Sequence, residues 1–210
     1  MTHLVLLGDS IFDNAAYVAG APAVIDQVRS LLPTGWKATL LAVDGDVASD
    51  VGEQLKRIPE DATHLFMSVG GNDALGTVTQ LHSPMPVPMM QALRALADIQ
   101  VRFAKDYVDI LRIVCASGTP VVCCTIYDQV PGLTQELRTA LSIFNDVILR
   151  ECVRFQIPVL DLRFVCTEVN DYSVASPIEP SYIGGQKIAS RIANIVTGNT
   201  LNGARCQIHA

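Results

Sequence analysis

Short apolar runs alternate along the chain with longer segments of helical periodicity. Leu4–Leu7, Ala38–Val43, His64–Val69, Pro120–Thr125 and Pro158–Leu162 read as strands. Ala23–Leu32, Val47–Ile58, Met89–Ser117, Thr134–Phe155 and Ser181–Val196 read as helices; Pro33, Pro59, Gly118 and Gly198 stand just beyond helix ends. Strands separated by helices of ten or more residues build βαβ units, and these make a parallel sheet. The run Val121-Val122-Cys123-Cys124 has no polar alternation, as a strand covered on both faces requires. The pattern therefore predicts a three-layer α/β/α sandwich, flavodoxin-like, with a parallel sheet of about five strands. In the long helix, Leu93, Leu96, Ala97, Val101, Ala104, Val108 and Leu111 lie at helical spacing and are expected to face the sheet. Gly70-Gly71-Asn72-Asp73 reads as a turn and Leu75–Pro88 as a loop, with three prolines in its last five residues. Residues 1–198 form a single domain in this reading, and 199–210 a polar, loosely held tail.

In an open parallel sheet, ligands bind beyond the carboxyl ends of the strands. Gly8-Asp9-Ser10 follows the first strand, Asp44-Gly45-Asp46 the second, Gly71-Asn72-Asp73 the third, and Tyr127-Asp128 the fourth. Glycines there permit tight turns and expose backbone N–H groups. A serine hydroxyl, backbone donors and an asparagine amide are the components of an acyl-transfer site: the hydroxyl attacks, and the donors hold the developing oxyanion. Each loop taken alone is an ordinary turn; three of them in register at strand ends carry the argument. Asp13-Asn14 reads as a cap for the segment that follows it.

Composition narrows the partners. The 210 residues carry 15 basic and 21 acidic side chains, a net charge of −6. An acidic chain without a basic run does not suit a nucleic-acid backbone. The apolar start, Leu4–Leu7, is too short for a signal peptide or a membrane span. Six cysteines (115, 123, 124, 152, 166 and 206) contain no C-x-x-C pair. They read as reduced thiols of a cytoplasmic protein, with Cys123 and Cys124 on opposite faces of a strand, and not as a metal site. No Gly-x-Gly-x-x-Gly follows the first strand, so neither a dinucleotide nor any other cofactor is expected.

Nearly the whole chain resembles the SGNH (GDSL) hydrolases, a family of esterases and lipases. Gly8-Asp9-Ser10 is similar to the block that carries the family nucleophile. Gly45 matches the glycine, and Asn72 the asparagine, that donate to the oxyanion. The resemblance implies a small-molecule carboxylic ester as substrate, Ser10 as nucleophile, and an oxyanion hole formed by the N–H groups of Ser10 and Gly45 with the Asn72 amide. Asp9 and Asp73 would line the site or support it. Leu81, Met85 and Val87 of the loop are candidates for an acyl pocket, with Met89 and Met90 beside them.

The fourth block departs from the family. Where Asp-x-x-His belongs, this chain has Ser176-Pro177-Ile178-Glu179, followed by Pro180. Both the general base and its orienting carboxylate are replaced. A buried carboxylate whose pKa rises toward neutrality can serve as a base, which makes Glu179 one candidate. His82, after the third loop, is another. His3 and His64 begin strands, a strand length away from the site, and His209 lies in the tail. Without a base, the scaffold would be a feeble esterase or a binding protein. A further alternative gathers Asp9, Asp13, Asp44, Asp46, Asp73 and Glu179 around a hard cation for phosphoryl transfer.

Overall fold

The structure, a computed structural model, describes residues 2–81, 87–198 and 207–209. One sheet contains β1 (His3–Gly8), β2 (Lys37–Leu40), β3 (His64–Ser68), β4 (Val121–Cys124), β5 (Val159–Leu160) and β6 (Ile208–His209). Its order is β2-β1-β3-β4-β5-β6, and every pairing is parallel. The helices are α1 (Val24–Leu31), α2 (Val51–Leu55), α3 (Gly71–Leu81), α4 (Met89–Ala116), α5 (Gln135–Phe155) and α6 (Tyr182–Thr197). Successive strand residues point to opposite faces. Leu4, Leu6, Phe66 and Val122 therefore pack with α1 and α6, while Val5, Leu7, Met67 and Cys123 pack with α4 and α5. The three layers and the flavodoxin-like order follow from these two cores.

The sheet has six strands rather than about five. The additional one comes from residues read in the sequence as a polar tail: Ile208 pairs with Val159 and His209 with Leu160. The turn and loop expected over 70–81 are instead the helix α3, opened by Ala74 N–H donating to the Gly70 carbonyl at 3.0 Å. Asp73 in its first turn suits the helix dipole. His82 and Met85 lie outside the described residues. The helix expected over 47–58 contracts to a 3₁₀ turn, Ala48–Asp50, and the short α2.

The buried face of α4 also differs from the expected one. Ile99, Phe103, Tyr107, Ile110 and Leu111 are buried, whereas Leu93, Ala97 and Val101 are exposed. Two apolar stripes run along this helix. The inward one bears the aromatic rings, which bury the larger area and let Phe103 pack on Phe144 with centroids 4.9 Å apart. Asp13-Asn14 does not cap the segment after it. Asn14 Oδ1 instead accepts from Val24 N–H at 2.9 Å, at the start of α1.

Two features hold the strand ends. At the amino end, His3 is buried; its Nδ1 lies 2.6 Å from Asp61 Oδ1 and its Nε2 lies 2.8 Å from Thr39 Oγ1. It joins β1, β2 and the segment before β3. At the carboxyl end, Gly8 has φ +121° and lies so close to the Ser68 carbonyl that a Cβ would overlap it. That approach lets Asp9 N–H donate to Ser68 O at 3.0 Å. A side chain at position 8 must therefore separate β1 from β3 just where the first and third loops begin. Gly8→Ala is expected to destabilise the fold by more than about 2 kcal/mol, combining backbone strain with a steric clash. Denaturant midpoints of the two proteins measure this.

Candidate active site

The turn after β1 is built by Asp9. Its carbonyl accepts from Phe12 N–H (3.1 Å) and Asp13 N–H (3.2 Å), and its Oδ1 accepts from Ile11 N–H (3.1 Å). Ser10 is thereby set at the carboxyl end of β1, beside β3, where the strand order reverses and ligand crevices form. Its own N–H has no acceptor among the described residues, and neither does Gly45 N–H. Asn72 donates one amide hydrogen to the Asp46 carbonyl at 2.9 Å, which orients the amide and leaves the other hydrogen available.

Gln54, which sequence reasoning passed over, fastens the first two loops together. Its Nε2 donates to the Gly8 carbonyl and to Asp46 Oδ2, both at 2.7 Å, and its Oε1 accepts from Gly8 N–H at 2.8 Å. The available signal was a glutamine on an apolar helix face, between Val51 and Leu55; a fully buried amide must have partners.

Glu179 enters from the segment preceding α6, and three successive carbonyls of that segment are held. Tyr127 OH donates to Ile178 O at 2.6 Å, Ser173 N–H to Glu179 O at 2.8 Å, and Asn14 Nδ2 to Pro180 O at 3.1 Å. Ser176 contributes its carbonyl, accepting from Glu179 N–H at 3.0 Å and closing a turn. Ser181 N–H donates to Asp171 O at 2.8 Å, and Gly184 lies against the Asp171 backbone where any Cβ would collide. Tyr127 and Asn14 belong to distant parts of the chain, so their roles could not be read from local pattern.

The Glu179 side chain is 5% exposed. Burial raises its pKa to about 7; the neighbouring Ser10 hydroxyl works against this, and the charge of Asp44 adds to it. Its Oε2 is buried without a hydrogen-bond partner among the described residues. Asp9 is pushed further, to about 8, by burial, with Ile11 N–H opposing and the charges of Glu179 and Asp73 adding. Burial also raises Asp73, against the N–H of Ala48, which donates to Asp73 Oδ2 at 2.9 Å. Asp13 and Asp46 are likewise engaged, Asp13 Oδ2 by Asp44 N–H at 3.0 Å and Asp46 by Gln54. Asp44 Oδ2 accepts from Tyr17 OH, so five of the six acids, all but Glu179, sit on separate donors. Among the described residues, no group of three acids, histidines or cysteines is arranged to hold a metal ion.

Ser10, Asn72 and Glu179 lie at the edge of one cavity of about 310 Å³. The rest of its wall is mostly apolar, with Asp9, Ser68 and Thr77 the polar exceptions, and comes largely from α3, α5 and the loop between β4 and α5. No described histidine lines it. His3 and His64 sit at the opposite ends of their strands, and His209 lies on the edge strand β6. Among the described residues, no helix is long and apolar enough to cross a membrane.

The sequence model of the GDSL-like Lipase/Acylhydrolase family matches residues 6–181. No curated protein sequence matches the chain. Solved structures with a similar fold include LAE5, an alpha/beta hydrolase enzyme from the metagenome of Lake Arreo, Spain (16% identity, 96% of each chain covered, TM-score 0.68). The lipase/acylhydrolase from Enterococcus faecalis is 19% identical over 94% of this chain and 96% of its own, with TM-score 0.66. An extracellular lipase from Streptomyces rimosus is 17% identical over 96% and 100%, with TM-score 0.67.

The raised carboxyl groups have a thermodynamic consequence. A group whose folded pKa exceeds its unfolded value holds its proton more tightly in the native state. Stability contributed this way is present at low pH and is lost as pH rises from about 4 to about 8 for Asp9. Asp9→Asn preserves the acceptor for Ile11 N–H and removes the titration. Its melting temperature is expected to fall less than that of the parent between pH 5 and pH 8. At pH 8 the variant should be the more stable by at least about 1 kcal/mol; thermal scans across that range measure both.

Proposed function

The chain belongs to the GDSL-like lipase/acylhydrolase family, and from that membership we propose that it hydrolyses carboxylic esters through an acyl-Ser10 intermediate, with Glu179 as the general base. The observation that carries this reading is the buried Glu179 on the wall of the same cavity as Ser10 and Asn72; burial, which raises its pKa to about 7, suits it to the role. Ionised Glu179 takes the Ser10 proton as Oγ attacks the ester carbonyl. The oxyanion is held by Ser10 N–H, Gly45 N–H and the second amide hydrogen of Asn72. On collapse, the C–O bond to the alcohol breaks and protonated Glu179 returns its proton to the leaving oxygen. Glu179 then takes a proton from water as the water oxygen attacks the acyl carbonyl; on collapse the bond to Ser10 Oγ breaks, Glu179 returns that proton to Oγ, and the carboxylic acid leaves.

An anionic base changes the charge balance of this scheme. A neutral histidine becomes a cation beside the oxyanion; a carboxylate becomes neutral, so the site keeps a single negative charge throughout. Asp9, protonated below about pH 8, spares that charge a second like neighbour.

Ser10→Ala is expected to abolish turnover of short p-nitrophenyl esters, and Glu179→Gln to lower kcat by about 10²–10⁴-fold, the range for general-base catalysis. Because the ionised carboxyl is the active form, kcat/KM should climb as pH rises through about 7. A Ser10→Ala protein as active as its parent overturns the nucleophile assignment. A Glu179→Gln protein with unchanged rate and pH profile overturns the base.

A further inference from the structure

The cavity beside Ser10 is strongly one-sided in character. Helix α3 contributes Ala74, Leu75 and Val78, and α5 contributes Leu137, Ala140 and Phe144. Val130, Pro131 and Leu133 of the intervening loop close a third side. Its polar lining residues are few: Asp9, Ser10, Asn72 and Glu179, with Ser68 and Thr77. The other flank of Ser10 is polar: Tyr17 OH donates to Asp44 Oδ2 at 2.8 Å, Asp13 accepts from Asp44 N–H, and the charges of Asp44 and Glu179 are both felt at Tyr17. None of Tyr17, Asp13 and Asp44 lines the apolar cavity.

A tetrahedral carbon on Ser10 Oγ has three further substituents, and the site offers three directions. The oxyanion goes to the free N–H groups and the Asn72 amide. The leaving oxygen must meet Glu179, which is close enough to the polar flank to feel the charge of Asp44 and to act on Tyr17. The remaining direction leads into the apolar cavity. Resting on the proposed acyl-Ser10 chemistry, we infer that this cavity receives the acyl half of the substrate and selects unbranched chains of medium length. A methylene fills roughly 25–30 Å³ at protein packing density, so about 310 Å³ holds a chain of about ten carbons. Ala140 and Ala74 set the width: both are small, half-buried and on facing helices. Larger side chains at either position would close the channel, whereas the buried Phe144 belongs to the core beneath it.

The experiment uses three ligand series on the intact chain. With p-nitrophenyl esters from acetyl to palmitoyl, kcat/KM should rise by up to about fourfold per added methylene, the factor for full burial of a CH₂ group, peak near eight to ten carbons and fall beyond. Ala140→Phe should lower the decanoyl rate at least about tenfold more than the acetyl rate and move the optimum to shorter chains. Alkyl acetates, which place the chain in the alcohol, should show no comparable rise. A flat acyl profile, an equal loss at every length in Ala140→Phe, or a rise in the alkyl acetates instead, each overturns the assignment.

Methyl ketones of increasing length carry the acyl half without a leaving group, and their binding to Ser10→Ala is independent of turnover. Tighter binding of 2-decanone than 2-butanone, lost in Ser10→Ala/Ala140→Phe, supports the cavity even if every ester is inert, in which case only the acyl-Ser10 chemistry has failed. Equal binding of the two ketones overturns the cavity assignment while leaving the chemistry of Ser10 intact.

Discussion

Burying a carboxyl group beside a serine is costly, and the site depends on keeping Glu179 there. A carboxylate removed from water either finds partners or takes up a proton. Glu179 lies between these outcomes, with one oxygen unpartnered and its pKa raised to about 7. Such a side chain would turn to solvent if its backbone could move. The surrounding structure prevents that through the carbonyls of Ile178, Glu179 and Pro180, each of which accepts a hydrogen bond from a different part of the chain. These bonds do not touch the carboxyl itself; they remove the backbone freedom by which it could escape. Rigidity of this kind matters more for a carboxylate than for an imidazole, which is content neutral and half-buried.

The same economy governs the loops around Ser10. Gln54 joins Gly8 to Asp46, Asp46 in turn orients Asn72, and Asp73 reaches back to Ala48. The three loops are thus braced by one another before any ligand arrives. Asp9, Asp13 and Asp73 each spend an oxygen atom on a backbone N–H group, and Asp44 and Asp46 on the side chains of Tyr17 and Gln54. That explains why a cluster that looks, in sequence, like a cation site forms none among the described residues.

Much of this was legible in the chain. Parallel strands covered on both faces wrote themselves as unbroken apolar runs, and the glycines at their carboxyl ends marked the loops that matter. Position beyond the first strand singled out Ser10, whereas Gly45, Asn72 and Glu179 could be named only because the loops around them resemble the blocks of a known family. What escaped depends on three-dimensional neighbours. Helix α4 has two apolar stripes, and only the aromatic partner Phe144 decides which one turns inward. The start of α3 carries Gly-Asn-Asp, a turn signature by composition, and becomes helical because the following apolar residues meet the core and cavity. The short β6 carries too little sequence to announce itself and is defined by pairing with β5. Gln54, Asn14 and Tyr127 act across 46, 166 and 51 positions respectively, beyond the reach of any local pattern.

Tyr127 stands in two structures at once. Its ring is part of the cavity wall, while its hydroxyl holds the carbonyl next to Glu179. A change there alters the space offered to a substrate and the anchorage of the carboxyl together, so neither can be adjusted alone. Ala140, on the far wall, is bound by no such double duty. A substitution at Ala140 therefore reshapes one wall of the cavity, whereas one at Tyr127 changes the wall and the backbone that carries Glu179 in a single step.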